Sequence, residues 1–559
     1  MEELLQWYGI RIRRGGGSKV IAYADDLAVV VSGKFPQTLC DIMQDRLRLI
    51  ERWTKEKGLG VNPEKTDLVL FTRKYKIPSL QLPAIGNKIL KLGESAKYLG
   101  VVLDKKLNWA QNIQERVKKA TVALYSCKGA IGRSWGLSPS IMYWLYTVVV
   151  RPILLYGVLV WWPSLNRKST TEALQKVQRT AMLCICGALR TTPSEAMCVL
   201  LDILPIEIVG KQSAGCAALR LRELPGWRDT QEGHTAILKD INIPDTDYCA
   251  PRLNFTKRYR ISIPDRKFWS GGAPDDNGSL HLYTDGSKLD GKVGGGVFSA
   301  RLGLEICFRL PNHCSVFQAE VAAIQEAVEH LRTREVIYND IFIYSDSQAA
   351  LKALDSVTCS SKTVADCRRS LNEMAEQSAL HLVWVPGHRN IPGNEKADEL
   401  AREGTSAPLS QAWKGLGMPL ATCKLILRDL SLKLARDRWD SLTTCNNTKL
   451  TWPKWDKKRS KDLLMLSKGD LAAAVGLLTG HVAIGGHAER LGIPHNDFCR
   501  SCRNEEEPET LRHLLCECPA LCRRRQKFMG SGFFEDLTDI AEVGIRQLLG
   551  FAKSTRWFE

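Results

Sequence analysis

The chain has 559 residues, enough for three or four domains of about 100–200 residues each, and its 44 % hydrophobic and 25 % charged residues exclude wholesale disorder. A formal charge of +17 points to polyanionic partners, and with eighteen cysteines behind a start, Met1-Glu2-Glu3, that has no basic n-region and apolar core, reduced thiols are the expected state. The charge is uneven, with 22 Lys and Arg against 13 Asp and Glu in residues 1–120 but 13 against 17 in residues 279–404, so phosphate-neutralising surface is expected outside the latter stretch.

Lys19 to Val31 holds two apolar, strand-like runs that meet at Asp25-Asp26. This predicts an acidic hairpin tip, because adjacent carboxylates repel unless exposed or met by a cation; a plain polar turn is the alternative. Leu39 to Thr54 has the spacing of an amphipathic helix, with Ile42, Leu49 and Trp53 on its apolar side. Tyr23-Ala24-Asp25-Asp26, Gly58-Leu59-Gly60-Val61-Asn62-Pro63-Glu64-Lys65-Thr66 and Tyr98-Leu99-Gly100-Val101-Val102-Leu103-Asp104 resemble, in order, successive palm motifs of a reverse transcriptase. The resemblance marks Asp25 and Asp26 as a polymerase palm remnant within residues 1–106. It also implies a further metal-binding Asp and fingers upstream, for which 22 residues leave no room, so no DNA synthesis by this chain alone is expected. A second chain supplying the missing polymerase half would be needed.

Residues 107–229 read as helical, with Ile113, Val117, Ala120 and Leu124 at helix spacing and Pro139 and Pro152 as punctuation. Ile141 to Trp162 is apolar enough to imitate a membrane span, but Arg151 at its centre costs about 2.5–3.5 kcal/mol on insertion scales; no membrane is expected. Arg151-Pro152-Ile153-Leu154-Leu155-Tyr156-Gly157, Leu174-Gln175-Lys176-Val177-Gln178-Arg179 and Gly187-Ala188-Leu189-Arg190-Thr191-Thr192-Pro193 resemble the thumb and connection of pol proteins from non-LTR, LINE-type retrotransposons of the jockey and I kind. Residues 230–278, dense in Pro and Gly, read as a linker.

Residues 279–404 place four carboxylates where surface decoration is a poor explanation. Asp285 closes the alternating run Leu280 to Thr284, and Gly286 follows as a turn residue, so the carboxylate is expected at a strand end. Glu320 falls on the apolar side of a helix carrying Phe317, Val321, Ile324, Val328 and Leu331, where an unmatched charge is costly. Asp346 ends a second apolar run, with Ser347 placed to cap the next helix, and Asp398 sits on a helix opened by Asn394. Two strand-end and two helix-face acids converging on one sheet edge would suit a pair of hard divalent cations with oxygen ligands. Tyr283-Thr284-Asp285-Gly286-Ser287, Gln318-Ala319-Glu320, Tyr344-Ser345-Asp346-Ser347-Gln348, Trp384-Val385-Pro386-Gly387-His388 and Gly393-Asn394-Glu395-Lys396-Ala397-Asp398 resemble type 1 RNase H, in that family's order. The resemblance implies a mixed five-stranded sheet flanked by helices and Mg2+-dependent cleavage of the RNA strand of RNA/DNA hybrids. It assigns two Mg2+ ions, with Mn2+ as a substitute, to Asp285, Glu320, Asp346 and Asp398, and proton transfer or product release to His388. A solvated loop histidine is the plain alternative.

Residues 405–490 resume a helical pattern, and Trp452-Pro453-Lys454-Trp455-Asp456-Lys457-Lys458-Arg459 could stack on bases or bury its tryptophans in a core. Five cysteines crowd between Cys499 and Cys522. Cys499-Arg500-Ser501-Cys502 with His513 and Cys518 gives a ligand set for structural Zn2+, with Cys516 or Cys522 able to replace Cys518. The stretch 491–525 resembles the zinc knuckle of LINE-type pol proteins, and 526–559 is left as a tail. The expected molecule is multidomain α+β and α/β: partial palm, helical thumb, RNase H fold and zinc-binding tail. It is expected inside the cell, nuclear or cytoplasmic, acting on RNA/DNA hybrids and other nucleic acid. The competing expectation is a retroelement remnant that binds nucleic acid without cutting it.

Overall fold

The computed structural model describes residues 17–129, 136–224, 233–239, 241–271, 278–389, 391–504 and 506–555. The chain divides into two compact units, Met1–Gly210 with Trp439–Glu559, and Lys211–Arg438.

In the first unit, β1 (Gly17–Tyr23) and β2 (Asp26–Ser32) form the expected antiparallel hairpin, closed by the pair Tyr23 and Asp26, with Ala24 in the left-handed region at φ 51°. The amphipathic helix follows as α1 (Pro36–Glu56), entered through a proline in its first turn, where the missing N–H costs nothing. It buries Leu47 against Ile85 and Leu90, which belong to a stretch holding the short pairs β3 (Ala84–Ile85) with β4 (Lys88–Ile89) and β5 (Ser95–Tyr98) with β6 (Val101–Asp104). The Asp104 carboxylate then accepts from the amides of Asn108 and Trp109 at 3.0 and 2.7 Å, launching α2 (Ala110–Lys128).

The apolar run after Ile141 lies on a helix that continues from Pro139 through Arg151-Pro152 to Leu154, with a π-helical stretch at Tyr146–Val150; it breaks before Gly157 and bends by 54° into Val158–Asn166, and its Met142, Tyr146, Val150 and Leu154 are buried. Among the described residues no single helix is long and apolar enough to cross a membrane. The long helix α3 (Lys168–Cys186) packs against α2 and against the helix Lys468–Thr479 of the carboxy-terminal part. Trp452 is fully buried there with the Arg459 guanidinium 4.1 Å over its ring, so this tryptophan is core and not a base-stacking platform.

The second unit is built on β7 (Tyr248–Leu253), β8 (Arg260–Ser262), β9 (Leu280–Leu289), β10 (Lys292–Ser299), β11 (Leu304–Leu310), α4 (Val316–Thr333), β12 (Asp340–Ser345), α5 (Gln348–Asp355), β13 (Thr358–Ser361), α6 (Lys362–Met374), β14 (Ala379–Trp384) and α7 (Pro392–Gly404). Its sheet runs β11-β10-β9-β12-β14-β8, antiparallel among the first three strands and parallel from β9 onward. The sheet is mixed as expected but has six strands, not five. The sixth, β8, comes from the stretch read as a linker, which also supplies β7 to pair with β13. Prolines flank both segments and hide strands only a few residues long.

One face of the sheet carries α4, backed by α6, and the other carries α7 over β9 and β10. The triple glycine of β10 is a packing device. A Cβ on Gly294 or Gly296 would sit 2.4 Å from backbone atoms of Thr405 or Ala397, so only glycine lets the strand meet the helix backbone. Leu280, Leu282, Ile324, Ile341, Ile343 and Leu382 form the centre of the core, each without exposed surface.

Candidate active site

Strand alternation places His281, Tyr283 and Asp285 of β9 on one face, and the parallel register of β12 puts Phe342 and Tyr344 beside them, with Asp346 continuing the alternation just past the strand end. Tyr283 and Tyr344 stack with centroids 4.8 Å apart, fixing the two strands directly below their carboxylates. Glu320 arrives from α4, whose start is fixed by a capping box between Ser315 and Gln318. Oxygen atoms of Asp285, Glu320 and Asp346 lie within 4.8 Å of one another. They line a cavity of about 210 Å³ together with Gly286, His388, Asn394, Glu395 and Asp398.

Asp285 does not end its strand. β9 continues through Gly286 to Leu289, and Gly286 pairs with Gly295 of β10. Gly286 serves close approach instead of a turn, since a Cβ there would stand 2.5 Å from the Glu320 amide nitrogen. Removing that one methyl-sized volume brings the first turn of α4, and with it Glu320, onto the strand that carries Asp285.

Three carboxylates this close carry a large electrostatic cost. Burial, then the charges of Asp346 and Asp398, push the Asp285 carboxyl up to about 8. Burial and the charges of Asp285 and Asp346 raise Glu320 well above the carboxylate range. Asp346 is raised by burial and by Asp398, against the relief given by His388 and a hydrogen bond from Asn394. Glu320 is 5 % exposed, and its Oε2 has no hydrogen-bond partner. Buried anions with an unpaired oxygen, all donors being hard carboxylate oxygens, fit divalent cations such as Mg2+.

Asp398 lines the same cavity from α7 but is bonded to Arg402 Nη2 at 2.6 Å, one turn further along the helix. His388 lines it from the loop after β14 with a left-handed backbone, φ 54°, a conformation that functional loops retain at some cost. Trp384 anchors that loop by donating to the Asp346 carbonyl at 3.0 Å. Two residues in the cavity's electrostatics were not singled out from sequence. Asn394, 3 % exposed, holds Asp346, and Ser345 eases the Glu320 charge. Asn394 lay inside the motif that led to Asp398, yet sequence marked it only as a helix opener. Asp25 and Asp26 stand exposed at the tip of the β1–β2 hairpin of the other unit and belong to neither of the ligand clusters found among the described residues.

The second cluster lies in the first unit. Cys499, Cys502, His513 and Cys518 bring one ligand atom each within 4.8 Å of the others. The Sγ atoms of Cys499 and Cys518 are 3.7 Å apart, and Cys502 Sγ lies 3.5 Å from His513 Nε2. On the far side of the imidazole the Glu507 carboxylate stands 3.2 Å from Nδ1, within ion-pair distance but without a hydrogen bond to it. Neither Cys516 nor Cys522 joins the group. Burial raises the Cys499 and Cys518 thiols, the latter to about 12. Three sulfurs and one nitrogen at this spacing fit tetrahedral zinc, which stabilises the thiolates that burial disfavours.

Residues 277–406 match the RNase H family model. The chain is 26 % identical over 194 residues to a retrovirus-related Pol polyprotein from type-1 retrotransposable element R1 of Nasonia vitripennis, covering 34 % of this chain and 58 % of that protein. It is 29 % identical over 163 residues to a probable RNA-directed DNA polymerase from transposon BS of Drosophila melanogaster, 29 % of this chain and 18 % of that one. Against the RNA-directed DNA polymerase from mobile element jockey of Drosophila melanogaster it is 25 % identical over 170 residues, 30 % and 18 % of the two chains. The chain spans about half the length of the R1 relatives it matches. The chain thus carries an RNase H domain in a sequence similar to the Pol proteins of R1, BS and jockey, which are LINE-type, non-LTR retrotransposons.

Proposed function

We propose that the second unit is a type 1 RNase H that hydrolyses the RNA strand of RNA/DNA hybrids in the presence of Mg2+. The observation that carries this reading is the triad of buried Asp285 and Glu320 with half-buried Asp346, its oxygens within 4.8 Å and one of them unpaired. With Asp398 these side chains would hold the cations, which when bound would activate water and stabilise the departing 3′ oxygen. The chain's own residues do the rest. Gly286 and the stacked pair Tyr283 and Tyr344 fix the spacing of the carboxylates. Asn394 orients Asp346. His388, on a loop anchored through Trp384, takes up or returns a proton at the scissile phosphate oxygens. Arg402 steadies Asp398 from the solvent side.

The test is incubation with a labelled hybrid and Mg2+. Asp285→Asn is expected to lower cleavage by at least ~10³-fold, a loss typical of removing a group that acts on the transition state, with hybrid binding nearly unchanged. Wild-type protein that binds hybrid but never cuts it would favour the competing binding-only reading. For the first unit we propose structural Zn2+ on Cys499, Cys502, His513 and Cys518.

A further inference from the structure

The RNase H match begins at residue 277, and the domain it covers is acidic in net charge, an awkward property for a surface that must receive a polyanion. The segment just before it has the opposite character. Residues 248–269 hold six Lys and Arg against a single Asp, and the fold pairs β7 of this strap with β13 in a separate two-stranded sheet and then adds β8 to the edge of the main sheet beside β14.

The register fixes where the strap leads. Ser262 of β8 is level with Val383 of β14, which is level with Tyr344 of β12. All three strands are parallel, so the chain leaves β8 at the edge of the sheet where Asp346 follows β12 and His388 follows β14. The short 3-10 helix Arg266–Gly271 comes next. Its Trp269 is buried and meets Tyr344 edge-on at 6.0 Å, on the face that carries Asp285 and Asp346. The anchor leaves the neighbouring side chains outside. Arg266 and Lys267 are exposed and make no ion pair among the described residues, and Phe268 is 65 % exposed. Arg260 is exposed on the outer strand β8. Cations beside an exposed aromatic ring, on the same face and at the same sheet edge as the carboxylates, have the chemistry of a backbone-contacting nucleic-acid surface.

We propose that the strap Arg260–Trp269 is a substrate-binding extension of the RNase H unit, with Arg266 and Lys267 neutralising phosphates of the hybrid flanking the scissile bond and Phe268 packing against its sugars. An A-like duplex suits such contact, because its shallow minor groove presents sugars and 2′-hydroxyls at the surface. The inference rests on the hybrid-cleavage reading above and adds a surface outside the matched domain.

The experiment compares the full chain with R266Q/K267Q, R266E/K267E and F268A. Binding to a labelled hybrid is followed across a salt series in an Asp285→Asn background, and cleavage kinetics are taken with Asp285 intact. Neutralising two phosphate contacts should lower the slope of log K against log salt by about 2. The loss should sit in KM, up by roughly tenfold, and not in kcat. An unchanged slope and KM in R266Q/K267Q with an unaltered melting curve overturns the proposal and leaves hybrid cleavage standing. So does a loss confined to kcat. If R266E/K267E fails to fold, the glutamine pair decides. Wild-type protein that neither binds nor cuts hybrid overturns both readings together.

Discussion

At the scale of single residues, the site is a store of electrostatic cost set against a use. Asp285, Glu320 and Asp346 are all raised by burial and by one another. Each therefore holds its proton in the fold at a pH where the unfolded chain has lost it. The native state binds more protons across this window, so stability falls with rising pH. Without divalent cations these three groups contribute stability to the second unit that is fully present below pH ~4 and is lost as pH rises toward about 8, the value for Asp285. Divalent cations should flatten this slope, because they take the place of the protons. Thermal melts between pH 4 and 8, with chelator and with added Mg2+, measure it; melting that rises with pH in chelator would contradict the arrangement described here. Sequence identified these three acids from short local patterns. It could not give their mutual distances, nor the bond by which Asn394 holds Asp346.

At the scale of elements, glycine and arginine set what can lie beside what. Gly286→Ala forces a methyl group against the Glu320 and Ala319 backbone at 2.5 and 2.8 Å, where neither neighbour is a flexible side chain. A cost of about 3 kcal/mol is expected from overpacking, with cleavage lost further than stability explains because Glu320 moves off Asp285. Denaturant melts and single-turnover cleavage separate the two effects. Near the cysteine cluster, Arg525 has no exposed surface and donates to the carbonyls of Gly532, Leu514 and Cys518 at 2.7, 3.1 and 2.6 Å. Arg525→Met leaves three buried acceptors unpaired, at about 1–3 kcal/mol each. Chelator is expected to release one zinc per chain from wild type and to do so at lower concentration from the variant. Alkylation of Cys499, Cys502 and Cys518, followed by mass spectrometry, should rise in step. Both glycine and arginine were visible in the sequence, but their roles depend on segments that no local pattern brings together.

At the scale of the whole molecule, the compact second unit is wider than the RNase H match. Residues on both sides of 277–406 tie into it. Asp247 Oδ1 accepts from the Thr363 amide and hydroxyl at 2.9 and 2.7 Å, Lys362 reaches Glu223 at 2.5 Å, Gln318 donates to the Gly417 carbonyl at 2.9 Å, and Trp413 to Glu326 at 3.1 Å while stacking on Phe308. A fragment limited to 277–406 should therefore melt about 10–20 °C below 211–438, taking roughly 1 kcal/mol for each of these bonds and 2–4 °C for each kcal/mol. Calorimetry of the two fragments tests this, and equal melting temperatures would reduce the flanks to passengers.

The sequence by itself picked out the candidate site residues. Alternating runs, helix spacing and cysteine intervals are properties of neighbours along the chain, and together with the motif resemblance they pointed to Asp285, Glu320, Asp346, Asp398 and the group Cys499, Cys502, His513 and Cys518. Only the tertiary structure decided that Asp285 lies within its strand, that the breaker-rich stretch before residue 277 adds a sixth strand, that Trp452 is core, and that Cys518 takes its place where Cys516 and Cys522 do not. Each of these depends on what a distant segment places opposite a residue. Strand adjacency and burial are settled by packing across the fold, so two stretches with the same local pattern can end on different sides of the same sheet.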